Sequence, residues 1–338
     1  MRRRQPPRAS QTTLFPASRL FENLNALVTG GAGFIGSHLA ESLARQGAQV
    51  VILDNLSLGS RDNLAWIRPS DAVEFVEGDD LDDALVRRLI TGCDWVFHQG
   101  AMPSVPRSVE APLESNRQNV DGTLQMLLAA RDAGVKRFLF ASSSAIYGDV
   151  DTPYKREDLP PNPLSPYALQ KYAGERYCQL FHRLYGLPAV ALRYFNVFGP
   201  RQRADSPYSG VIAKFCTAFL AGQTPTIHGD GTQSRDFTYV ANAVAANLGA
   251  AAAPVEKVAG RFFNVACGDS VDLLQLVADL RELTGRNLTP TFGPTRVGDV
   301  LHSKADISAA RAAFGFAPAV GWKEGLNRTL DWYRSGSV

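Results

Sequence analysis

Short apolar runs and longer segments of helical periodicity take turns along the first half of the chain. The runs Ala26–Thr29, Val50–Asp54, Val73–Glu77, Trp95–His98, Arg137–Ser142 and Ala189–Arg193 have strand length. Between them, Ile35–Gln46, Asp82–Thr91, Glu114–Ala133 and Tyr167–Tyr185 space their apolar residues as helices do. Mostly apolar strands separated by helices predict a parallel sheet covered on both faces. The expected fold class is therefore α/β, a doubly wound parallel sheet with its ligand at the carboxyl ends of the strands. Asp54, Asp79, Gln99 with Gly100, Ser142 to Ser144, and Asn196 stand at those ends.

Beyond Gly199-Pro200 the alternation turns irregular, with helices expected at Gly210–Ala221, Val240–Ala253, Leu273–Thr284 and Asp306–Phe314. This reads as a smaller C-terminal α/β lobe built against the first. The expected division is residues 1–22 as a flexible basic tail, 23–200 as a nucleotide-binding domain and 201–338 as mainly a substrate-binding lobe. No clear linker separates the lobes, which puts the expected site between them.

Composition narrows the function classes. The 338 residues are 45% hydrophobic and 20% charged, ordinary for a globular protein, and the net charge of +2 points to neither nucleic acid nor membrane. Arg2, Arg3, Arg4 and Arg8 supply part of the basic charge in a segment without the apolar core of a secretory signal. No apolar run has membrane-spanning length. Cys93, Cys178, Cys216 and Cys267 lack paired spacing and read as core residues of a reducing, cytoplasmic compartment. The 5 histidines are scattered, so no metal site is expected.

Two motifs carry chemistry. Gly30, Gly33 and Gly36 lie where the run ending in Thr29 becomes the periodic segment starting at Phe34. Glycines there permit a tight turn, a close backbone approach to a pyrophosphate and a helix N-terminus aimed at the anion. Asp54 ends the second strand, where a carboxylate accepts from a ribose 2′-hydroxyl and repels a 2′-phosphate, favouring NAD. The second motif is Tyr167 with Lys171, four apart and therefore on one helix face, downstream of Ser142-Ser143-Ser144. A cation near a phenol favours the phenolate, which makes Tyr167 a candidate general base.

Together these residues resemble the extended short-chain dehydrogenase/reductase family, with its Rossmann domain, and within it the UDP-hexose 4-epimerases. The resemblance covers about Ala26 to Trp332. It rests on Thr29-Gly30-Gly31-Ala32-Gly33-Phe34-Ile35-Gly36, Ser143 with Tyr167 and Lys171, Leu192 to Pro200, Gly229 to Gly231 with Ser234 to Phe237, and Arg296 to Asp299. It implies that Tyr167 takes the proton of the sugar 4-hydroxyl, that Lys171 holds the nicotinamide ribose and lowers the pKa of Tyr167, and that Ser143, with Ser144 beside it, meets the sugar. Gly30, Gly33, Phe34, Ile35, Gly36, Asp54, Asn55, Asp79, Asp80, Gln99, Gly100, Ala101 and Asn119 would line NAD. Asn196, Arg235 and Arg296 would hold the substrate diphosphate, and Asp299 the uridine ribose. Arginine suits phosphate through paired, planar hydrogen bonds.

The reaction follows from what is missing. Dehydratases and decarboxylases that resemble this chain carry acids just before the tyrosine of the Ser143 motif. Here Ser144 and Ala145 stand in those places, and neither moves a proton as a carboxylate does. The oxidised sugar is left with hydride return. The expected cycle is oxidation at C4, rotation of the 4-keto sugar about its diphosphate, and return of hydride to the other face.

Ser303 falls where such epimerases carry a gatekeeper that is large against N-acetylated sugars and small for them. Ser104 to Ser108, with Arg107, resembles the subgroup that prefers UDP-N-acetylhexosamines. UDP-GlcNAc and UDP-GalNAc are the expected substrates, with UDP-glucose and UDP-galactose beside them. Arg107 leaves open a C6 carboxylate, as in UDP-glucuronate or its N-acetylated form. A different class, a non-catalytic NAD-binding regulator, is disfavoured by the intact Ser143, Tyr167 and Lys171. The resemblance also implies a homodimer through helices at Glu114–Ala133 and Tyr167–Tyr185.

Overall fold

A computed structural model describes residues 21–205, 210–295 and 301–336. The basic segment and the expected ligands Arg296 and Asp299 lie outside the described residues.

Seven parallel strands form the central sheet: β1 (Asn25–Thr29), β2 (Gln49–Asp54), β3 (Val73–Glu77), β4 (Trp95–His98), β5 (Arg137–Ser143), β6 (Ala189–Tyr194) and β7 (Phe262–Val265). Their spatial order is β7-β6-β5-β4-β1-β2-β3. From β1 the chain runs outward to β3, then crosses back to place β4 on the other side of β1. A crevice therefore opens between β1 and β4 at the carboxyl ends.

Alternate strand residues feed two cores, because successive side chains point to opposite faces. Ala26, Val28, Leu139, Val190 and Leu192 pack on one face with Leu39 and Leu43 of the helix Phe34–Arg45. Leu27, Phe138, Phe140, Ala189 and Ala191 pack on the other with Val86, Met126 and Phe181. The six strands anticipated from the sequence are all present. The sheet adds β7, whose four residues lie in a stretch where the periodicity is irregular.

Segments beyond residue 200 return to the central sheet. The helix Val240–Ala252 packs beside Phe34–Arg45 and contributes Ala243 and Leu248 to the same core. β7 then pairs with β6. A third core, with Phe198, Phe215, Phe219, Leu276, Leu326 and Leu330, belongs to the helices Val211–Ala221, Leu273–Thr284 and Trp322–Arg334. The last of these helices was not anticipated.

The expected single helix Glu114–Ala133 is interrupted. It consists of Pro112–Asn116, a π-turn at Arg117–Asp121, and Gly122–Asp132. A π-turn inserts one residue into the helical ladder, a device found at functional sites. Here it carries Asn119. No helix among the described residues is long and apolar enough to cross a membrane.

Candidate active site

The glycine turn leaves no room for side chains. Gly30 has φ +62°, and a Cβ there would lie 2.8 Å from the Gly100 nitrogen. A Cβ on Gly36 would stand 2.2 Å from the Gly30 carbonyl oxygen. Gly33 is the N-cap of Phe34–Arg45, and no side chain caps that helix. Its first N–H groups, those of Phe34 and Ile35 included, have no partner within the helix and suit an anion.

Asp54 closes the other side of this turn. Its carboxylate is 8% exposed and accepts from the N–H of Ala32 at 2.9 Å and of Leu56 at 2.8 Å. Burial raises its pKa, and these N–H groups, with that of Gly33, act against the shift. One side chain thus fixes the glycine turn and ends β2 with an acceptor. Asn55 donates to Asp79 at 2.8 Å, and Gln118 donates to it at 3.3 Å. Asp80 lies under two glycines: a Cβ on Gly100 would be 2.6 Å from its Oδ2, and one on Gly122 3.3 Å from its Oδ1. Burial, and then Asp79, push the Asp80 carboxyl up to about 7.

The β4 end is fixed from several directions. His98 is buried between Thr29 at 2.7 Å and Thr123 at 3.1 Å, and burial depresses its pKa to about 3, so it is a neutral structural ring. Gln99 donates to Tyr194 at 3.1 Å, and Tyr194 accepts from Asn247 at 2.7 Å. Ala101 precedes Met102, whose N–H and carbonyl both bond Asn119, at 2.8 and 3.1 Å. Asn119 also donates to Gln170 at 2.8 Å. The π-turn therefore ties the cofactor loop to the helix of Tyr167.

That helix, Pro166–Tyr185, starts with Ser165 accepting from the Ala168 N–H at 3.2 Å and Pro166 in the first turn, where its missing N–H costs nothing. The Tyr167 N–H donates to Ser108 at 3.1 Å. Ser143, Tyr167 and Lys171 come together as expected. The Tyr167 hydroxyl lies near enough to Ser143 for that side chain to lower its pKa, and the Ser143 Oγ accepts from the Ala145 N–H at 3.1 Å. Lys171 is 3% exposed and donates to the Ala141 carbonyl at 2.8 Å.

Tyr167 lies above its ordinary pKa, because burial raises it and Ser143 opposes. Lys171 stands to one side of the phenol. Its Nζ is 6.0 Å from the Tyr167 ring centre and directed at Ala141. Burial lowers Lys171 to about 8, with Asp80 opposing.

The anticipated substrate residues separate into two groups. Arg235 and Ser303 stand opposite each other in short paired strands, and Arg235 donates to the carbonyls of Ser234 at 2.9 Å and Leu301 at 3.2 Å. Asn196 has φ 36°, an uncommon conformation for a residue other than glycine, and donates to the Asp236 carbonyl at 3.0 Å. Ser144 opens the 3-10 turn Ser144–Tyr147 directly after Ser143. Ser104 and Arg107 are engaged elsewhere. Ser104 caps the short helix Val105–Glu110 by accepting from the Arg107 N–H at 3.1 Å. Arg107 pairs with Glu114 at 3.0 Å and Glu110 at 3.9 Å.

Four organising residues were given no role in the sequence reading: Ser108 and Asp236, which lie inside named motifs, and Gln170 and Asn264. Asp236 is fully buried and accepts from the N–H groups of Cys267 at 2.8 Å, Gly268 at 3.0 Å and Ala305 at 3.1 Å. Its only signal was a place next to Arg235.

The backbone cradle at Gly30–Gly36, the uncapped helix and the carboxylate ending β2 fit a dinucleotide, and Ser143 of the Ser143–Tyr167–Lys171 cluster ends β5, the strand next to β4. This is the plan of an NAD-dependent short-chain dehydrogenase/reductase. The chain belongs to the NAD dependent epimerase/dehydratase family, whose model matches residues 26–266, and within it to the NAD-dependent UDP-sugar 4-epimerases. A UDP-glucose 4-epimerase of Mycolicibacterium smegmatis is 39% identical, over 93% of this chain and 100% of its own. The solved UDP-N-acetylglucosamine 4-epimerase from Methanobrevibacter ruminantium, in complex with UDP-N-acetylmuramic acid, is 39% identical with a TM-score of 0.88, over 94% of this chain and 100% of that one. The UDP-glucuronic acid 4-epimerase of Bacillus cereus, in complex with UDP-glucuronic acid and NAD, is 30% identical with a TM-score of 0.86, over 92% and 99%.

Proposed function

We propose that this enzyme interconverts UDP-GlcNAc and UDP-GalNAc, with UDP-glucose and UDP-galactose as secondary substrates. The observation that carries the reading is Ser303, a small side chain, 8% exposed, paired in register with Arg235. If Arg235 holds the diphosphate, the sugar lies near Ser303, and a hydroxymethyl group leaves room for an acetamido group. The name of the Methanobrevibacter relative supports the same substrate class.

Tyr167 takes the proton from the sugar O4 and later returns it. Ser143 orients that hydroxyl pair. Lys171, fixed by Ala141, holds a ribose hydroxyl and keeps a positive charge beside the phenol. When bound, NAD supplies a hydride acceptor at C4 and then a donor to the opposite face. Gly30 to Gly36, Asp54 and Asn55 hold it, with Asp79, Asp80, Gln99 to Ala101 and Asn119 along its length. Ser144, Asn196, Arg235, Arg296 and Asp299 belong to the substrate side. Ala145 leaves the ketone without an acid to drive elimination, so hydride return is its exit.

Tyr167→Phe tests the proton role. General acid–base catalysis is worth about 10²- to 10⁴-fold, so kcat falls by that amount while bound NAD is retained. Wild-type turnover in the variant would remove Tyr167 from the mechanism. Ser303→Tyr tests the substrate. The kcat/KM ratio of UDP-GlcNAc to UDP-glucose falls by about 10-fold or more, as expected when bulk fills a pocket. An unchanged ratio dismisses Ser303 as gatekeeper.

The homodimer is a further part of this reading. Val109 and Leu113 are 62% and 83% exposed, and Leu169 and Leu184 of the adjoining helix 56% and 61%. Apolar side chains left in the open on neighbouring helices are what an obligate partner copy would cover. Arg107, already paired with two glutamates, gives the uronate alternative weak support.

A further inference from the structure

A line of buried polar side chains joins the two halves of the site, and the chemistry above does not use it. It begins on the helix of Tyr167 and Lys171. Glu175 stands one turn beyond Lys171 on the same face and is fully buried. Its carboxylate accepts from Ser142, the neighbour of Ser143, at 3.0 Å. It also accepts from Arg193, through Nε at 2.9 Å and Nη2 at 2.6 Å. The Arg193 guanidinium lies between two rings, 4.6 Å from the centre of Tyr147 and 4.1 Å from that of Phe262.

Tyr147 continues the line. Its hydroxyl, deep in the core, donates to Asn264 Oδ1 at 2.7 Å. Asn264 Nδ2 donates to the carbonyls of Lys155 at 2.9 Å and Asp306 at 3.0 Å. The Lys155 N–H donates to the Lys304 carbonyl at 2.7 Å. The line therefore ends on the segment that carries Ser303.

Apolar side chains of the same volume would fill this space at least as well, since a buried ion pair is weak evidence for stability. What the polar groups add is direction. A two-pronged guanidinium–carboxylate pair admits one relative orientation, and a buried hydroxyl demands its partner. These constraints fix helix against strand end, and strand end against the substrate segment.

We propose that Glu175, Arg193, Tyr147 and Asn264 are positioning residues that set the Tyr167–Lys171 helix face against the Ser303 segment, so that the sugar hydroxyl is delivered to Tyr167. The proposal rests on the role given to Tyr167 above. The four side chains bond one another and neighbouring protein groups. They act through distance, and a shift of about 1 Å at a reacting group costs about 10²-fold in rate.

Tyr147→Phe keeps the ring over Arg193 and removes the hydroxyl. Glu175→Gln keeps the shape and removes the charge. Both variants and the double variant are assayed for kcat, KM, bound NAD and Tm. In Tyr147→Phe, kcat falls about 10-fold, while KM and bound NAD stay within about 2-fold, the signature of an interaction felt in the transition state. The double variant loses no more kcat than the worse single one, because both cut one line. Losses that multiply, or a Tyr147→Phe enzyme with wild-type kcat, overturn the proposal. So does a fall in kcat that only tracks the folded fraction. If Glu175→Gln does not fold, Asn264→Ser replaces it in the same cycle. Tyr167→Phe runs alongside: if it loses activity while the cycle is additive, the positioning line fails and the catalytic reading stands. If Tyr167→Phe is fully active, the catalytic reading fails first.

Discussion

The cofactor side and the substrate side of this site are built in opposite ways. The glycine turn of the cofactor side is local: Thr29 to Gly36 is one contiguous stretch from the end of β1 into its helix, tied to the end of β2 by Asp54. The substrate side is assembled from segments around residues 155, 196, 235, 264, 267 and 303, joined mainly by Asp236 and Asn264. The first is a tight device whose geometry is written in the spaced glycines Gly30, Gly33 and Gly36. The second depends on two buried polar side chains holding distant backbone together. Loop variation on that second side is the natural place for substrate choice among enzymes sharing the first.

This contrast can be broken experimentally. Gly36→Ala has the largest expected effect. Its Cβ would lie 2.2 Å from the Gly30 carbonyl, so backbone must move. Overpacking of this kind costs about 3 kcal/mol at its upper end. If that falls on the cofactor turn, NAD binds about 100-fold more weakly. Titration with NAD and the amount of NAD retained on purification measure it, and undiminished binding would show the turn to be less rigid than drawn.

Asp236→Ala comes next and strikes only the substrate side. Three N–H groups lose their acceptor, and each buried unsatisfied group costs about 1–3 kcal/mol. Tm drops and KM for the UDP-sugar rises, while NAD affinity is unchanged. Equal damage to NAD binding would mean that the two sides are one unit.

Arg107→Ala has the smallest effect. Its pairs with Glu114 and Glu110 involve side chains about half exposed, and exposed pairs contribute about 0–1 kcal/mol. Turnover of UDP-GlcNAc stays at the wild-type level. A selective loss of UDP-glucuronate turnover would instead favour the uronate reading.

The same contrast governs what could be read in advance. Strand runs, the glycine turn, Asp54, and the Ser143–Tyr167–Lys171 grouping were legible because each is a local pattern with its own period or spacing. β7 was not, because its four residues enter the sheet by pairing with β6 across a long stretch of chain. The break of Glu114–Ala133 at Asn119 was hidden as well, since a π-turn is stabilised by contacts to Met102 and Gln170 rather than by its own sequence. Ser104, a serine expected at substrate, has a local role the reading did not include, as the cap of the helix Val105–Glu110.

Strand period, turn geometry and a four-residue helical spacing are short-range properties, so the fold class, the cofactor and the Ser143–Tyr167–Lys171 grouping could be read from the chain alone. That burial raises the pKa of the Tyr167 phenol is visible only in the folded molecule. The same holds for the buried hydrogen bonds of Asp236, Asn264, Glu175 and Arg193. Desolvation and partner choice depend on what surrounds a side chain, and those surroundings come from residues far away in the chain.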